Sequence, residues 1–475
     1  MYYIIEGHNF IYDIQTISQI FFANEKFTKV ESPSSIGFTI VSSLTDTKCI
    51  GELYKNGILL ESRVSLRHRR QSETDLLQEI RRELTTTLYL ALQAYTAIEP
   101  PWGALTGIRP SKMARLIMEE SGLDSETAVD LMQKNYMARK DKIQLAVDVA
   151  LAEKEILRRQ PPDAVSIYVG IPFCPSRCLY CSFASYEIDG RVDSYLTALY
   201  KELLAIKNLI NSKHISSIYI GGGTPTSLSK NQLDNLCSKV IGIFGEPDEF
   251  CVEAGRPDTL DILKLEILKK YHVTRISINP QTMNDGTLAR IGRNHSSKDI
   301  EKCFIQARSI GFDNINTDII LGLPGETSAD TQNTLEKITA LRPENITVHM
   351  LTIKRGSRLI DSLQNFSPSG PLELETMLTV SQTLCAENNY SPYYIYRQKN
   401  TIGNFENVGY TLPGKACVYN VIIMEETQTI WAAGAGAVTK LINGDKISRV
   451  FNVKSLNDYI NRIDEMIKRK EDSAC

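Results

Sequence analysis

Between residues 165 and 351 the chain alternates short β-rich runs with helical stretches six times, and this rhythm limits the fold more than any other feature. The strand candidates are 165–169, 217–220, 250–253, 275–278, 314–321 and 346–351, and helical patterns fill the gaps at 192–210, 230–244, 259–270, 297–310 and 329–341. Strands alternating with helices in this way pair as parallel neighbours joined by crossover helices. Six such units predict an α/β fold, a full or partial (β/α)6 barrel, with its active site beyond the carboxyl ends of the strands. Residues just after each strand therefore carry the functional weight.

The rest of the 475 residues leaves room for further domains, since about 150 residues make one of ordinary size. Residues 1–70 read as a small α/β domain, with an apolar start, a helical stretch at 10–22 and strand-like runs at 36–44, 48–56 and 58–64. Residues 71–160 read as a helical region. Leu76, Ile80, Leu84 and Leu88 recur every fourth position, Ala91 and Tyr95 continue the stripe, and Pro100 and Pro101 end it. Further helical patterns run over 112–120, 125–134 and 139–159. Gln160, Pro161, Pro162 and Asp163 mark a boundary, placing the barrel at 161–371 and a mixed α+β C-terminal domain at 372–475. In that last domain CVYNVIIM (417–424) and ISRVFNV (447–453) read as strand-like runs.

Composition removes several classes of function. With 42% hydrophobic and 23% charged residues the chain is globular in composition, which excludes disordered scaffolds. Lys and Arg number 53 against 56 Asp and Glu, a net charge of −3, so no overall field draws the protein to nucleic acid or to an anionic membrane. No apolar run approaches the ~20 residues of a membrane span. No Lys or Arg precedes Lys26, so the start lacks the charged head of a secretory signal, and a cytoplasmic location is expected.

Of the ten cysteines, three crowd into eight residues immediately after the first core strand, as Cys174-Pro-Ser-Arg-Cys178-Leu-Tyr-Cys181. Three soft thiolates from one loop suit an iron–sulfur cluster or zinc, and coincidence is the third reading. Structural zinc takes four ligands, and no fourth Cys or His follows in Ser182, Phe183, Ala184 and Ser185. A cubane cluster held by three thiolates keeps one iron open for a substrate or cofactor atom. Cys49, Cys237, Cys251, Cys303, Cys385 and Cys417 have no ligand spacing and read as buried small hydrophobes.

The CxxxCxxC spacing, with GGGTPT (221–226) after the second strand, resembles the radical S-adenosylmethionine (SAM) superfamily. That resemblance implies a [4Fe–4S] cluster on Cys174, Cys178 and Cys181 whose open iron chelates SAM. Within the superfamily the wording is similar to the oxygen-independent coproporphyrinogen III oxidases and their heme-chaperone relatives. YVGIPFC (168–174) resembles their YxHIPFC, which implies that Tyr168 packs beside cluster and SAM. Gly222, Gly223 and Thr224 match the glycine motif that meets the SAM amino group, and Glu253, Gln281, Arg293 and Asp318 match further SAM-contacting positions after later strands. A carboxylate suits ribose hydroxyls and an Arg suits a carboxylate, so each residue type fits its implied partner. PWGALTGIRPSK (101–112) and YRQKNTIGNFENVGY (396–410) look like the HemZ branch, named for coproporphyrinogen dehydrogenase.

The function implied is oxidative decarboxylation of coproporphyrinogen III to protoporphyrinogen IX, with a porphyrinogen as substrate and a flavodoxin or ferredoxin as electron donor. The alternative is a heme chaperone that keeps cluster and SAM. Two positions depart from the oxidases: Gly170 stands for a His, and Phe183 for an extra Cys. The chaperones also lack that Cys, but their HNxxYW segment corresponds here to GKACVYN (414–420).

Four other signals are weighed against plainer readings. Gly409 to Lys415 has P-loop spacing, but Ala416 replaces the magnesium-binding hydroxyl residue. Arg63, Arg67, His68, Arg69 and Arg70 could pair with propionates but read first as a solvated surface. His349 is either a cavity residue or a core histidine, and Gly434 to Ala437 reads as a tight turn.

Overall fold

The computed structural model describes residues 1–23, 25–66, 73–354, 356–359, 369–398, 401–444 and 446–474. It divides into two compact units, one of residues 1–148 with 396–406 and one of residues 149–395 with 407–475.

The first unit is built on a five-stranded sheet of β1 (Tyr2–Glu6), β2 (Thr28–Lys29), β3 (Phe38–Leu44), β4 (Lys48–Lys55) and β5 (Ile58–Leu66), in the order β2-β1-β3-β4-β5. Helices Ile11–Phe21 and Glu73–Thr96 supply Ile14, Ile17, Leu84, Leu88 and Leu92 to a core shared with Ile40, Cys49 and Leu53 of the sheet. Gly51 permits this packing: a Cβ there would stand 2.4 Å from the Leu88 backbone nitrogen. Helices Pro110–Ser121, Ser125–Tyr136 and Lys140–Arg158 follow as the sequence predicts.

The two branch-specific motifs meet inside this unit. Glu406 is fully buried and takes Lys142 Nζ at 2.6 Å and Trp102 Nε1–H at 2.9 Å. The Arg397 guanidinium lies 5.3 Å from the Trp102 ring and donates to the carbonyls of Leu105 and Gly107. These motif residues are therefore spent on one buried polar network. Of the basic run, Arg63 pairs with Glu61 at 2.9 Å, and positions 67–70 lie outside the described residues.

The second unit contains an 11-stranded sheet. Its middle is six consecutive parallel strands: β6 (Val165–Ile171), β9 (Ile215–Gly222), β10 (Glu249–Gly255), β11 (Arg275–Ile278), β12 (Ile315–Leu321) and β13 (Asn345–Met350). Between β6 and β9, β7 (Phe173–Cys174) and β8 (Tyr186–Glu187) form a separate short pair. Helices Val192–Ile210, Lys230–Phe244, Ile262–Lys270, Ser297–Ser309 and Ser328–Leu341 connect the parallel strands. Capping boxes at Ser229, Ser296 and Thr327 fix three of their starts. This is the expected (β/α)6 arrangement: β14 (Ser391–Arg397) and β15 (Glu406–Thr411) extend the β13 end, and β16 (Ile430–Ala433), β17 (Val438–Asn443) and β18 (Lys446–Phe451) extend the β6 end.

One expected strand is a helix. CVYNVIIM folds as helix Val418–Glu425 because its amino end is capped from a distant strand, where the Glu249 carboxylate accepts from the N–H groups of Val418 and Tyr419. A short, wholly apolar run carries no period that separates strand from helix. The Gly409 to Lys415 stretch lies in β15 and the turn after it, with Lys415 Nζ 3.3 Å from Asp313.

Candidate functional site at the carboxyl ends of the parallel strands

The three clustered cysteines hang from a loop tied at its base and along its length. Phe173 and Cys174 pair with Tyr186 and Glu187, and the Phe173 carbonyl accepts from the Thr224 N–H at 2.7 Å. Farther along, the Leu179 N–H donates to the Ile291 carbonyl, and Ser357 Oγ and the Leu359 N–H bind the Leu179 carbonyl. Cys174 Sγ stands 3.5 Å from Thr224 Oγ1. Burial pushes the thiols of Cys174 and Cys181 up, so a metal group binding there displaces protons.

GGGTPT must be glycine-rich because the chain is crowded there. A Cβ on Gly223 would lie 2.6 Å from the Phe173 carbonyl oxygen, and one on Gly221 would lie 2.8 Å from the Glu253 carboxylate. Gly222 has φ +111°, and its N–H donates to Glu253 Oε2 at 3.2 Å. Tyr219, two residues before Gly221 on the same strand face, donates its hydroxyl to Glu253 Oε1 at 2.6 Å. Burial lifts the Glu253 carboxyl to about 7, the charge of Asp318 adds to the lift, and the bonds from Tyr219 and Gly222 oppose it.

Tyr168, Tyr219 and Tyr419 stack as an aromatic layer, Tyr419 buried and the other two half-buried, with the last two ring centroids 4.5 Å apart. The segment that delivers Tyr419 is clamped by the ion pair of Arg275 and Glu249 at 3.2 Å. Arg275 donates to the carbonyls of Lys415 and Ala416, while Glu249 accepts from the two helix N–H groups and from the Cys417 thiol. Cys251 and Cys417, expected to be plain hydrophobes, are buried, yet their sulfurs stand 4.0 Å apart inside this polar clamp.

Opposite Glu253, Arg293 donates to the Tyr180 hydroxyl at 2.9 Å and to the carbonyls of Asn279 and Gly255. Asn279 Oδ1 also accepts from the Asp318 N–H, so Arg293 and Asp318 are held by the same residue. The Asp318 carboxylate lies 3.8 Å from His349 Nε2, which places His349 beside the candidate site. Gln281 adopts φ +70°, a conformation that costs a non-glycine residue free energy and recurs at binding sites. Its Oε1, together with Arg293 Nε and Asn316 Oδ1, is buried without a protein partner. Unsatisfied polar atoms gathered in one place call for a ligand. The donor set therefore fits a polar cofactor lying against three thiols.

Of the expected site residues, contacts join Cys174 to Thr224, Gly222 to Glu253, Gln281 to Asp318, and Arg293 to Asp318 through Asn279, while Tyr168, Gly223, Cys178 and Cys181 lie on the neighbouring strand, turn and loop. Sequence reasoning missed several of their supports. Arg256 is buried, paired with Asp258, and donates to the Ser176 carbonyl at 3.0 Å, with its Nη1 3.7 Å from Cys178 Sγ. Its place three residues after Glu253 was the available signal. Tyr219 was legible from the period-two alternation with Gly221, whereas Tyr180, Asn279 and Tyr419 carried no signal.

At the back of the loop, Gly170 and Gly434 make close backbone contact. A Cβ on Gly434 would lie 2.7 Å from the Gly170 carbonyl oxygen, which itself accepts from the Tyr195 hydroxyl at 2.5 Å. Gly434 is fixed from behind by Glu202, which accepts its N–H and also binds Lys470, Tyr459 and Asn452. The GAGA turn thus occupies the space beside the position where the oxidases carry a His. Phe183, at the other departure, is 68% exposed.

Residues 168–338 match the radical SAM superfamily model. Over 96% of its length the chain is 38% identical to the oxygen-independent coproporphyrinogen-III oxidase-like protein HemZ of Bacillus subtilis, covering 95% of that protein. The heme chaperone HemW of the same organism is 40% identical over 40% of this chain and 51% of its own. The oxygen-independent coproporphyrinogen III oxidase of Escherichia coli is 29% identical over 48% of this chain and 52% of its own. A solved structure of that organism's HemN, described as a radical SAM enzyme, superposes with a TM-score of 0.54 at 23% identity, over 67% of this chain and 73% of the other, and shares the fold.

Proposed function

Because the chain belongs to the radical SAM superfamily, in the family of the coproporphyrinogen oxidase-like protein HemZ, and so uses a [4Fe–4S] cluster and SAM, we propose that it decarboxylates coproporphyrinogen III oxidatively to protoporphyrinogen IX. Cys174, Cys178 and Cys181 would hold the cluster as thiolates. Thr224 and the backbone of Gly222 and Gly223 would receive the SAM amino group, and Tyr168 would close the site from below. Glu253, Gln281, Arg293 and Asp318 would orient the remaining polar groups of SAM. When bound, the reduced cluster and SAM supply one-electron cleavage of SAM and, through it, removal of hydrogen from the β-carbon of a propionate. Each of two propionates would then give up a hydrogen atom to the adenosyl fragment of SAM, one electron to an external one-electron acceptor, and carbon dioxide, and become a vinyl group.

The protein's own part is positioning and the exclusion of water. The stacked rings of Tyr168, Tyr219 and Tyr419 give the site an aromatic floor from which a bound ligand would displace water. Glu253, with its carboxyl near 7, can accept or keep a proton at neutral pH and so can match either a charged or a neutral group of the ligand.

One observation favours an enzyme over a heme carrier. In the GKACVYN segment, which stands where the chaperones have their characteristic motif, Cys417 and Tyr419 are buried and Glu249 and Arg275 clamp the chain around them. The chaperone reading draws on the HemW relatives and on Phe183, which matches their lack of the extra Cys. An anaerobic assay separates the two. The reconstituted, reduced protein is given SAM and coproporphyrinogen III, and protoporphyrinogen and 5′-deoxyadenosine are followed together. Product rising in proportion to deoxyadenosine supports the decarboxylase. Stoichiometric heme binding without turnover of coproporphyrinogen sinks it in favour of the chaperone.

A further inference from the structure

The first unit ends in an unusual edge. β5 is the last strand of its sheet, so among the described residues the outer backbone groups of Ile58–Leu66 face no neighbouring strand. Edge strands of soluble proteins are commonly shielded by Lys, Pro or short length. β5 is nine residues long, contains neither Lys nor Pro, and exposes Ile58 (69%), Leu59, Leu60, Val64 (53%) and Leu66 (62%). Its two charges, Glu61 and Arg63, cancel. Such a strand is a template for another strand.

We infer that β5 pairs antiparallel with β5 of a second copy of this chain, about a two-fold axis at Ser62, joining two five-stranded sheets into one. A two-fold axis perpendicular to a sheet must set one residue opposite itself, which leaves few registers. Centring on Glu61 opposes two carboxylates, and centring on Arg63 opposes two guanidiniums; both are unfavourable for directly facing residues. Centring on Ser62 sets Glu61 opposite the other copy's Arg63, twice over by symmetry. The same register lays Val64 and Leu66 against the apolar Ile58–Leu60 stretch of the other copy. The β-bulge sits at Leu60, between the partners of Glu61 and Leu59, so it leaves the central Glu61–Arg63 stretch regular in both copies. Self-complementarity in both charge and apolar side chains is what selects a second copy over a foreign strand.

Sedimentation velocity of the full chain across a range of concentrations tests this. The wild-type protein is expected to shift from monomer to dimer as concentration rises. Glu61→Arg or Arg63→Glu alone should weaken the dimer at least tenfold, because each places like charges opposite one another twice. The double variant Glu61→Arg with Arg63→Glu should restore it, since opposite charges again face each other. All these side chains are at the sheet edge, and circular dichroism checks that each variant folds. A chain that stays monomeric at every concentration, a dimer indifferent to both single changes, or a double variant that fails to recover would each overturn the inference.

Discussion

Glu253 shows how burial sets the behaviour of a single side chain. Its carboxyl ionises near 7 in the fold against an ordinary value of 4.5, so between these values the folded chain holds a proton that the unfolded chain has released. The contribution is full below pH 4.5 and is lost as pH rises through 7, with a slope of at most about 1.4 kcal/mol per pH unit. Glu253→Gln removes that slope, and thermal unfolding of the cluster-free protein between pH 4.5 and 7 should show a flatter pH profile than the wild type. The thiols make a simpler case. Replacing Cys174, Cys178 or Cys181 by Ala should lower iron bound after reconstitution to background and abolish SAM cleavage; a variant that formed deoxyadenosine at the wild-type rate would refute the cluster assignment. At this scale the sequence was most informative where chemistry is carried by residue type. It was silent where an ordinary residue, such as Asn279, acts by holding two others.

Among the elements, the turn at Gly434 depends on partners far away in the chain. Its φ of +111° suits glycine, and a Cβ would collide with both the Gly170 carbonyl and the Tyr195 hydroxyl. Gly434→Ala should cost about 1–3 kcal/mol in denaturant unfolding and weaken SAM binding, because it moves the end of β6. The pair behind it is fully buried, with Lys470 Nζ 2.7 Å from Glu202 Oε1. Lys470→Met leaves an uncompensated carboxylate and should cost about 3–5 kcal/mol, whereas adding Glu202→Gln should recover part of the loss. Complete additivity of the two changes would count against a coupled pair. Strand and helix positions in the parallel core were legible because their apolar periods are long and regular. Helix Val418–Glu425 was misread because its cap is Glu249, more than 160 residues away.

For the whole molecule, the two compact units predict two calorimetric transitions. Bound cluster and SAM stabilise only the unit that carries the thiols, so reconstitution with excess SAM should raise one transition and leave the other in place. A single transition that shifts as a whole would show that the units unfold together. The sequence by itself determined the alternation of strands and helices, the cluster loop and the motifs at strand ends, since each rests on local periodicity or on the chemistry of a few neighbouring residues. Tertiary structure alone decided that Tyr419 completes an aromatic layer, that Trp102 and Arg397 belong to one buried network, and that β5 is an edge. Those outcomes depend on which distant segments become neighbours. No local pattern encodes that, because the free energy favouring each arrangement arises only when the partners meet and water is excluded from between them.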